Sequence, residues 1–243
     1  MKDNPIYRLS RRNIRVYQSN LLIYAKRTRQ ILTKYKATPS NQAFLKKWLF
    51  KIASDISTET QRQLVTSIDG VIVTTIHFYN DLHKGEKLSN GRIQELHLEI
   101  RKEFLLSAFK GATVDQRIFQ AERRLKVNLQ KGLENLIQGY ATGSYGIDNL
   151  INSITGKDYT EGGTAYRWNS RLVLSEMYRA YQFTGKVVLA ELGVEKVEWV
   201  NSPRHEPKNS LIDLYAEKVY TPSELPDYPY PCNDSYFKPI YKN

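Results

Sequence analysis

Apolar residues that return every three or four positions, in one stretch after another, restrict this chain to long amphipathic helices. Residues 8–36 read RLSRRNIRVYQSNLLIYAKRTRQILTKYK. Ile14, Tyr17, Leu21, Tyr24, Ala25, Ile31, Leu32 and Tyr35 fall on one side of a helix there, with Thr28 as a weak member. The other side carries Arg11, Arg12, Arg15, Lys26, Arg27 and Lys34. The segment ATPSNQ interrupts the pattern: Pro39 ends the first helix, and Ser40 or Asn41 is placed to cap the next. That second helix carries Phe44, Leu45, Trp48, Leu49, Ile52 and Ile56 on its apolar side, with Lys46, Lys47 and Lys51 largely between them.

The same period predicts helices over 92–110 (Ile93, Leu96, Ile100, Phe104, Leu105, Phe109) and 114–138 (Ile118, Phe119, Leu125, Leu129, Leu133, Leu136, Ile137). A short helix is expected over IDNLINSI, with Asp148 near its start, where a carboxylate favours the helix dipole. The longest late pattern covers 164–192, through Trp168, Leu172, Met177, Tyr178, Tyr181, Val188 and Leu189. Gly185 inside it costs about 1 kcal/mol against alanine, which points to a slight bend or a close contact. The run GVIVTTIHFY, at 69–79, is ambiguous. Its β-branched residues favour a strand, but its length, its helical neighbours and Leu82 four residues past Phe78 favour a buried helix, which is our reading. HKGEKLSNG reads as an exposed loop, and VEKVEWV, ending at Val200, alternates as a half-buried strand does. The expected fold class is mainly α, with long helices and a small C-terminal α+β subdomain. The chain divides into a basic helical region (1–113), a central helical region (114–198) and a small α+β cap (199–243).

Charge is uneven. The chain carries a net +11, and residues 1–51 hold thirteen Lys and Arg against one acid, Asp3. The other residues hold 23 basic and 24 acidic groups, so the whole excess sits in the first fifth of the sequence. Such a block is an electrostatic footprint for nucleic acid, an anionic membrane or an acidic protein face, against the plainer reading of a solvated basic helix face. No apolar run reaches the ~18 residues of a membrane-spanning helix, and no apolar segment follows the basic N-terminus as in a secretory signal. The single cysteine, Cys232, leaves no internal disulfide and no cysteine-rich zinc module, in keeping with a reducing cytoplasm.

Catalytic signatures are missing: there is no glycine-rich phosphate loop, HExxH or GxSxG. His205, in the turn PRHEP, and Cys232, between Pro231 and Asn233, lack a visible partner that would make either a base or a nucleophile. Glu176 has Arg179 three residues on, which reads as helix-surface salt bridging and not as an acid-base pair. No catalytic residue, cofactor or metal ligand is assigned. The seventeen tyrosines suit base stacking and protein interfaces alike.

The last stretch, 199–241, orders a tryptophan-ended strand, a polar turn, the piece KVY and a ladder of prolines at 222, 226, 229, 231 and 239. In this order the chain resembles the phage head-morphogenesis family, the Mu F-like minor head proteins. The resemblance covers roughly residues 115–241, with motif matches in 164–241. Arg171 and Ser175-Glu176 match the family's Arg-x-x-x-Thr-Glu element, with serine for threonine. Trp199 sits where the family's tryptophan ends its strand. Asn209 and Ile212 occupy the first cysteine pair, and Ala216 to Tyr220 match the Ala-Gly-x-x-Tyr-like turn. Tyr230-Pro231-Cys232-Asn233-Asp234-Ser235 stands for His-Pro-x-Cys-x-Cys. All four family cysteines are thus replaced, and no tetrahedral zinc site is expected. Packing of Trp199, Tyr215, Tyr220, Tyr236 and Phe237 is expected to hold the cap instead.

The resemblance implies a structural minor head protein of a tailed phage, resident in the virion and in the host cytoplasm during assembly. It would associate with the portal or major capsid protein and support head assembly or DNA packaging and ejection. Packaged double-stranded DNA or an acidic partner face would meet Arg8, Arg11, Arg12, Arg15, Lys26, Arg27, Lys34, Lys46 and Lys47. Oligomeric state is left open. Two other classes compete: a divergent nuclease or transferase/toxin-type enzyme, marked by an acid-base constellation in a pocket, and a basic nucleic-acid-binding module without a virion role.

Overall fold

No proline lies between Pro39 and Pro203, so no backbone N–H is missing from the helical ladder over that span. The computed structural model describes residues 6–109, 111–142, 146–155, 164–200, 218–225 and 236–241. Among these, six α-helices and a small sheet follow one another: α1 (Ile6–Tyr35), α2 (Gln42–Leu82), α3 (Asn90–Leu106), α4 (Val114–Thr142), α5 (Ile147–Thr155), α6 (Thr164–Glu191), β1 (Lys196–Val200), β2 (Val219–Tyr220) and β3 (Tyr236–Ile240). The fold is mainly α with a small antiparallel sheet near the C-terminus, as the sequence periodicity predicts.

The ambiguous run at 69–79 belongs to α2, which continues unbroken to Leu82. Val71, Ile72, Ile76 and Tyr79 are completely buried there. Burial of one face overrides the strand preference of the β-branched residues, and Thr75 satisfies its hydroxyl by donating to the Val71 carbonyl at 2.6 Å. At the α1–α2 junction, Asn41 does not cap α2. Its side-chain amide donates to the carbonyls of Tyr35 and Lys36, closing the end of α1, where carbonyls lack helical partners. The sequence also places Asn90 and Gly91 in a loop, yet both begin α3, because Ser89 caps it by accepting from the Arg92 N–H.

The chain gathers into two compact units that interleave along the sequence. The first comprises Met1–Arg12, Leu64–Ala108 and Leu174–Asn243; the second comprises Asn13–Gln63 and Phe109–Val173. The core of the second unit joins Tyr17, Leu21 and Leu32 of α1 with Leu45, Leu49, Ile52 and Ile56 of α2. Leu125, Leu129, Leu133 and Leu136 of α4 and Leu150 and Ile154 of α5 complete it. Phe44 and Phe119, both assigned to apolar faces, turn to solvent. Phe44 is exposed, its ring resting on Tyr35 with centroids 4.8 Å apart. Phe119 is 65% exposed, because its neighbour Ile118 takes the inward position.

In the first unit the strands run in the order β2-β1-β3, all antiparallel. Val197 and Trp199 of β1 point inward and are buried, while Lys196 and Glu198 point out. Trp199 lies opposite Phe237, ring against ring at 5.3 Å, and Val197 lies opposite Pro239. Gly193, with φ +66°, turns the chain out of α6. The Val194 N–H then reaches back to the Leu189 carbonyl at 3.0 Å, a Schellman closure. Gly185 marks a close contact: a Cβ there would meet the Tyr79 ring at 3.0 Å and the Phe237 ring at 3.3 Å. The Tyr79 hydroxyl in turn accepts from the Phe237 N–H at 3.2 Å. Of the proline ladder, Pro222 is buried in a short turn whose Thr221 and Glu224 form a capping box, and Pro239 lies within β3. Pro226, Pro229 and Pro231 lie outside the described residues, as does Tyr215.

Candidate anionic-partner interface

Helix α1 contains eight basic residues and no acid among its thirty. Its inward face is spent on the core, so the cations are left on the outward faces. Arg8, Arg11 and Arg12, in the first unit's part of the helix, are exposed. Arg15, Lys26, Arg27 and Lys34, in the second unit's part, are exposed too. Of α2, Lys47 is exposed and Lys46 half-buried. The aliphatic stems and charges of some lean on nearby rings: Arg27 over Tyr24, Lys34 over Tyr35 and Lys46 over Phe50, at 5.9, 5.2 and 5.5 Å from the ring centres.

Other cations of the second unit are neutralised. Arg29 pairs with Asp148, Lys51 with Asp55 at 3.0 Å, and Arg62 with Glu59 at 2.7 Å. Arg62 is the main reason the Glu59 carboxyl titrates below its ordinary range; Gln63 and Asn20 also donate to it, against a contrary push from burial. Arg15, Lys26, Arg27, Lys34, Lys46 and Lys47, by contrast, have no carboxylate partner among the described residues. The charge is divided unequally between the units. The second unit holds nineteen basic and eight acidic groups, and the first holds seventeen of each, so the second unit carries the entire +11.

Geometry suits an extended anion. From Arg15 to Lys34, α1 advances about 28 Å at ~1.5 Å per residue, close to the ~34 Å of one duplex turn. Arg15 and Lys26, eleven residues apart, return to nearly the same side of the helix. Val16, Leu22 and Ile23 are exposed among these cations, an apolar admixture that the sequence pattern does not single out.

The family-motif positions take structural places. Arg171 is exposed near the start of α6. Glu176 and Arg179 do not form the surface pair that their spacing suggests: Glu176 is fully buried and Arg179 nearly so, bonded at 2.9 Å. Arg179 also stacks over Phe104 at 4.0 Å and donates to Ser107 Oγ at 3.0 Å, so the pair ties α6 to α3 inside the first unit. Trp199 is buried in the central strand, and Tyr220 pairs opposite Val197 from β2. Ala216 and Pro231 lie outside the described residues, with His205 and Cys232.

A second cationic face escapes the sequence reading. On α4, Arg123, Arg124 and Lys131 are exposed beside Phe119 and Val127. Counting α4 residues away from the inward leucines would have found them. Burial pushes the Glu122 carboxyl up, but Lys126 at 2.6 Å and the Ser54 and Ser57 hydroxyls outweigh it and hold it below the ordinary range.

The fold and charge define a mainly helical protein with one strongly cationic unit. No family, no curated protein and no solved structure matches this chain. No helix among the described residues is long and apolar enough to cross a membrane.

Proposed function

We propose that this chain is a structural, non-enzymatic minor head protein of a tailed phage, whose second unit meets packaged double-stranded DNA through the cationic face of α1. One observation carries the DNA contact: Arg15, Lys26, Arg27 and Lys34 stand exposed on a helix without acids, none with a carboxylate partner among the described residues. Phosphates would supply the missing counter-charges and release condensed cations as they did so. The head-protein setting rests on the resemblance of the C-terminal stretch. It is supported by the burial of Trp199 in the middle strand and the seating of Tyr220 beside it. Portal and major capsid proteins are the partners this setting calls for.

The test is a titration of labelled duplex DNA with the whole chain at rising salt. With four to six phosphates neutralised, log K should fall against log salt with a slope of about −4 to −5. The double variant R15E/K26E should shrink that slope by about two. No binding at low salt, or an affinity indifferent to salt, would sink the DNA contact. An affinity lost on V16S/I23S but kept on R15E/K26E would move this face to a protein partner.

A further inference from the structure

Phe119, Arg123, Val127 and Lys131 follow one another at steps of four along α4, so their side chains form a single ridge. Every member is exposed, Phe119 at 65% and Val127 at 48%. Arg123 and Lys131 have no carboxylate partner among the described residues. A groove of about 520 Å³ runs beside the ridge, lined by Gln120, Arg123, Arg124, Val127 and Asn128. The helix's acids do not serve this face: Asp115 accepts from Gln61, Glu122 from Ser54 and Lys126, and Glu134 from Gln130.

We propose that this face of α4 docks an amphipathic helix of a protein partner, one whose contact stripe alternates acidic and apolar residues at four-residue steps. The alternation selects the occupant. A ridge of i, i+4 side chains seats in the matching groove of another helix, and here cation and hydrophobe take turns along it. Carboxylates on the incoming helix meet Arg123 and Lys131, and apolar side chains cover Phe119 and Val127. A nucleic-acid strand would answer the cations alone, and unlike the scattered apolar residues of α1 the hydrophobes here take every second place in one ridge, which a row of phosphates cannot match. A second copy of this chain would set Arg123, Arg124 and Lys131 against their own like charges across a two-fold axis. The ridge shares no residue with the α1 face and stands or falls apart from it.

The probe is a fluorescein-labelled helical peptide carrying Leu and Glu alternately at four-residue steps on one side. Its controls are a scrambled peptide of the same composition and a labelled DNA duplex, each titrated with the whole chain. The ordered peptide should bind at least tenfold tighter than the scrambled one. F119S should weaken it about tenfold, and R123E/K131E by at least as much. R15E/K26E, on α1, should leave it unchanged. All these positions are exposed, and an unchanged circular-dichroism melt confirms that each variant is folded. Equal affinity for ordered and scrambled peptides overturns the proposal, since it would reduce the face to charge. So does F119S binding at parental strength, or R123E/K131E losing duplex but not peptide. Self-association abolished by F119S would overturn it in favour of a second copy.

Discussion

Glu176 and Arg179 meet at 2.9 Å one turn apart on α6, the carboxylate wholly out of solvent and the guanidinium only 14% exposed. Removing one partner of such a pair strands a buried charge, which costs about 3–5 kcal/mol. Arg179→Met should therefore lower the urea midpoint sharply, and Glu176→Leu should do the same. The double variant, which removes both charges, should recover most of the loss in the same measurement.

Gly185→Ala sets two effects against each other. Alanine in a helix gains up to ~1 kcal/mol over glycine, but overpacking a core costs about 1–3 kcal/mol. The new Cβ would lie 3.0 Å from the Tyr79 ring. That ring cannot retreat freely, because its hydroxyl is tied to Tyr181 at 3.1 Å and to the Phe237 N–H at 3.2 Å. A lower melting temperature is expected, and the loss caused by Gly185→Ala should be smaller in a Tyr79→Leu background than in the parent chain.

The two buried tyrosine hydroxyls also set an alkaline limit. Burial is the main cause that raises the Tyr79 and Tyr181 phenols above 10.0. A raised acid stabilises the fold below its unfolded pKa and loses that contribution as pH climbs. Stability should therefore fall above about pH 10. In an ultraviolet titration these two phenols should ionise only as the chain unfolds. Tyr79→Phe leaves the Phe237 N–H without its acceptor, and should cost about 1–3 kcal/mol by chemical denaturation.

Acid acts with the opposite sign. Arg62 holds the Glu59 carboxyl below 4.5, and Arg92 does the same for Glu191. Each contributes stability above its unfolded pKa and loses it as pH falls through its folded one. The denaturation midpoint should decline from about pH 4.5 downward. Glu59→Gln should make that decline shallower, read from urea curves at successive pH values.

What was legible in the sequence was whatever depends on near neighbours. A three-to-four-residue period marks α1, α4 and α6 because every turn of a helix repeats the same choice between core and water. Gly193 signals the end of α6 for the equally local reason that the chain there needs a positive φ. The cations of α1 were readable as a face for the same cause. Period alone does not decide which of two adjacent hydrophobes turns inward: Ile118 and Phe119 both fit the pattern, and Ile118 takes the core place. Nor could spacing tell that Glu176 is buried, since α3 supplies the cover from seventy residues upstream through Phe104 and Ser107. Asn41 is legible as a capping residue, but its position between two helices does not say which one it caps. Its amide donates to α1 because the Lys36 turn, at φ +39°, brings the open carbonyls within reach.

The backbone of β3 has one further consequence. Strand partners alternate, so β1 takes up the hydrogen-bonding groups of Tyr236, Lys238 and Ile240, and those of Phe237 and Pro239 face away from it. On that outer side the Phe237 N–H is already given to Tyr79, and Pro239 has none to give. A sheet grows sideways by offering both free donors and free acceptors to another strand. The outer rim of β3 thus lacks the donor half of that pattern at Phe237 and Pro239, and molecules crowded together at high local concentration find there a poor template on which to polymerise.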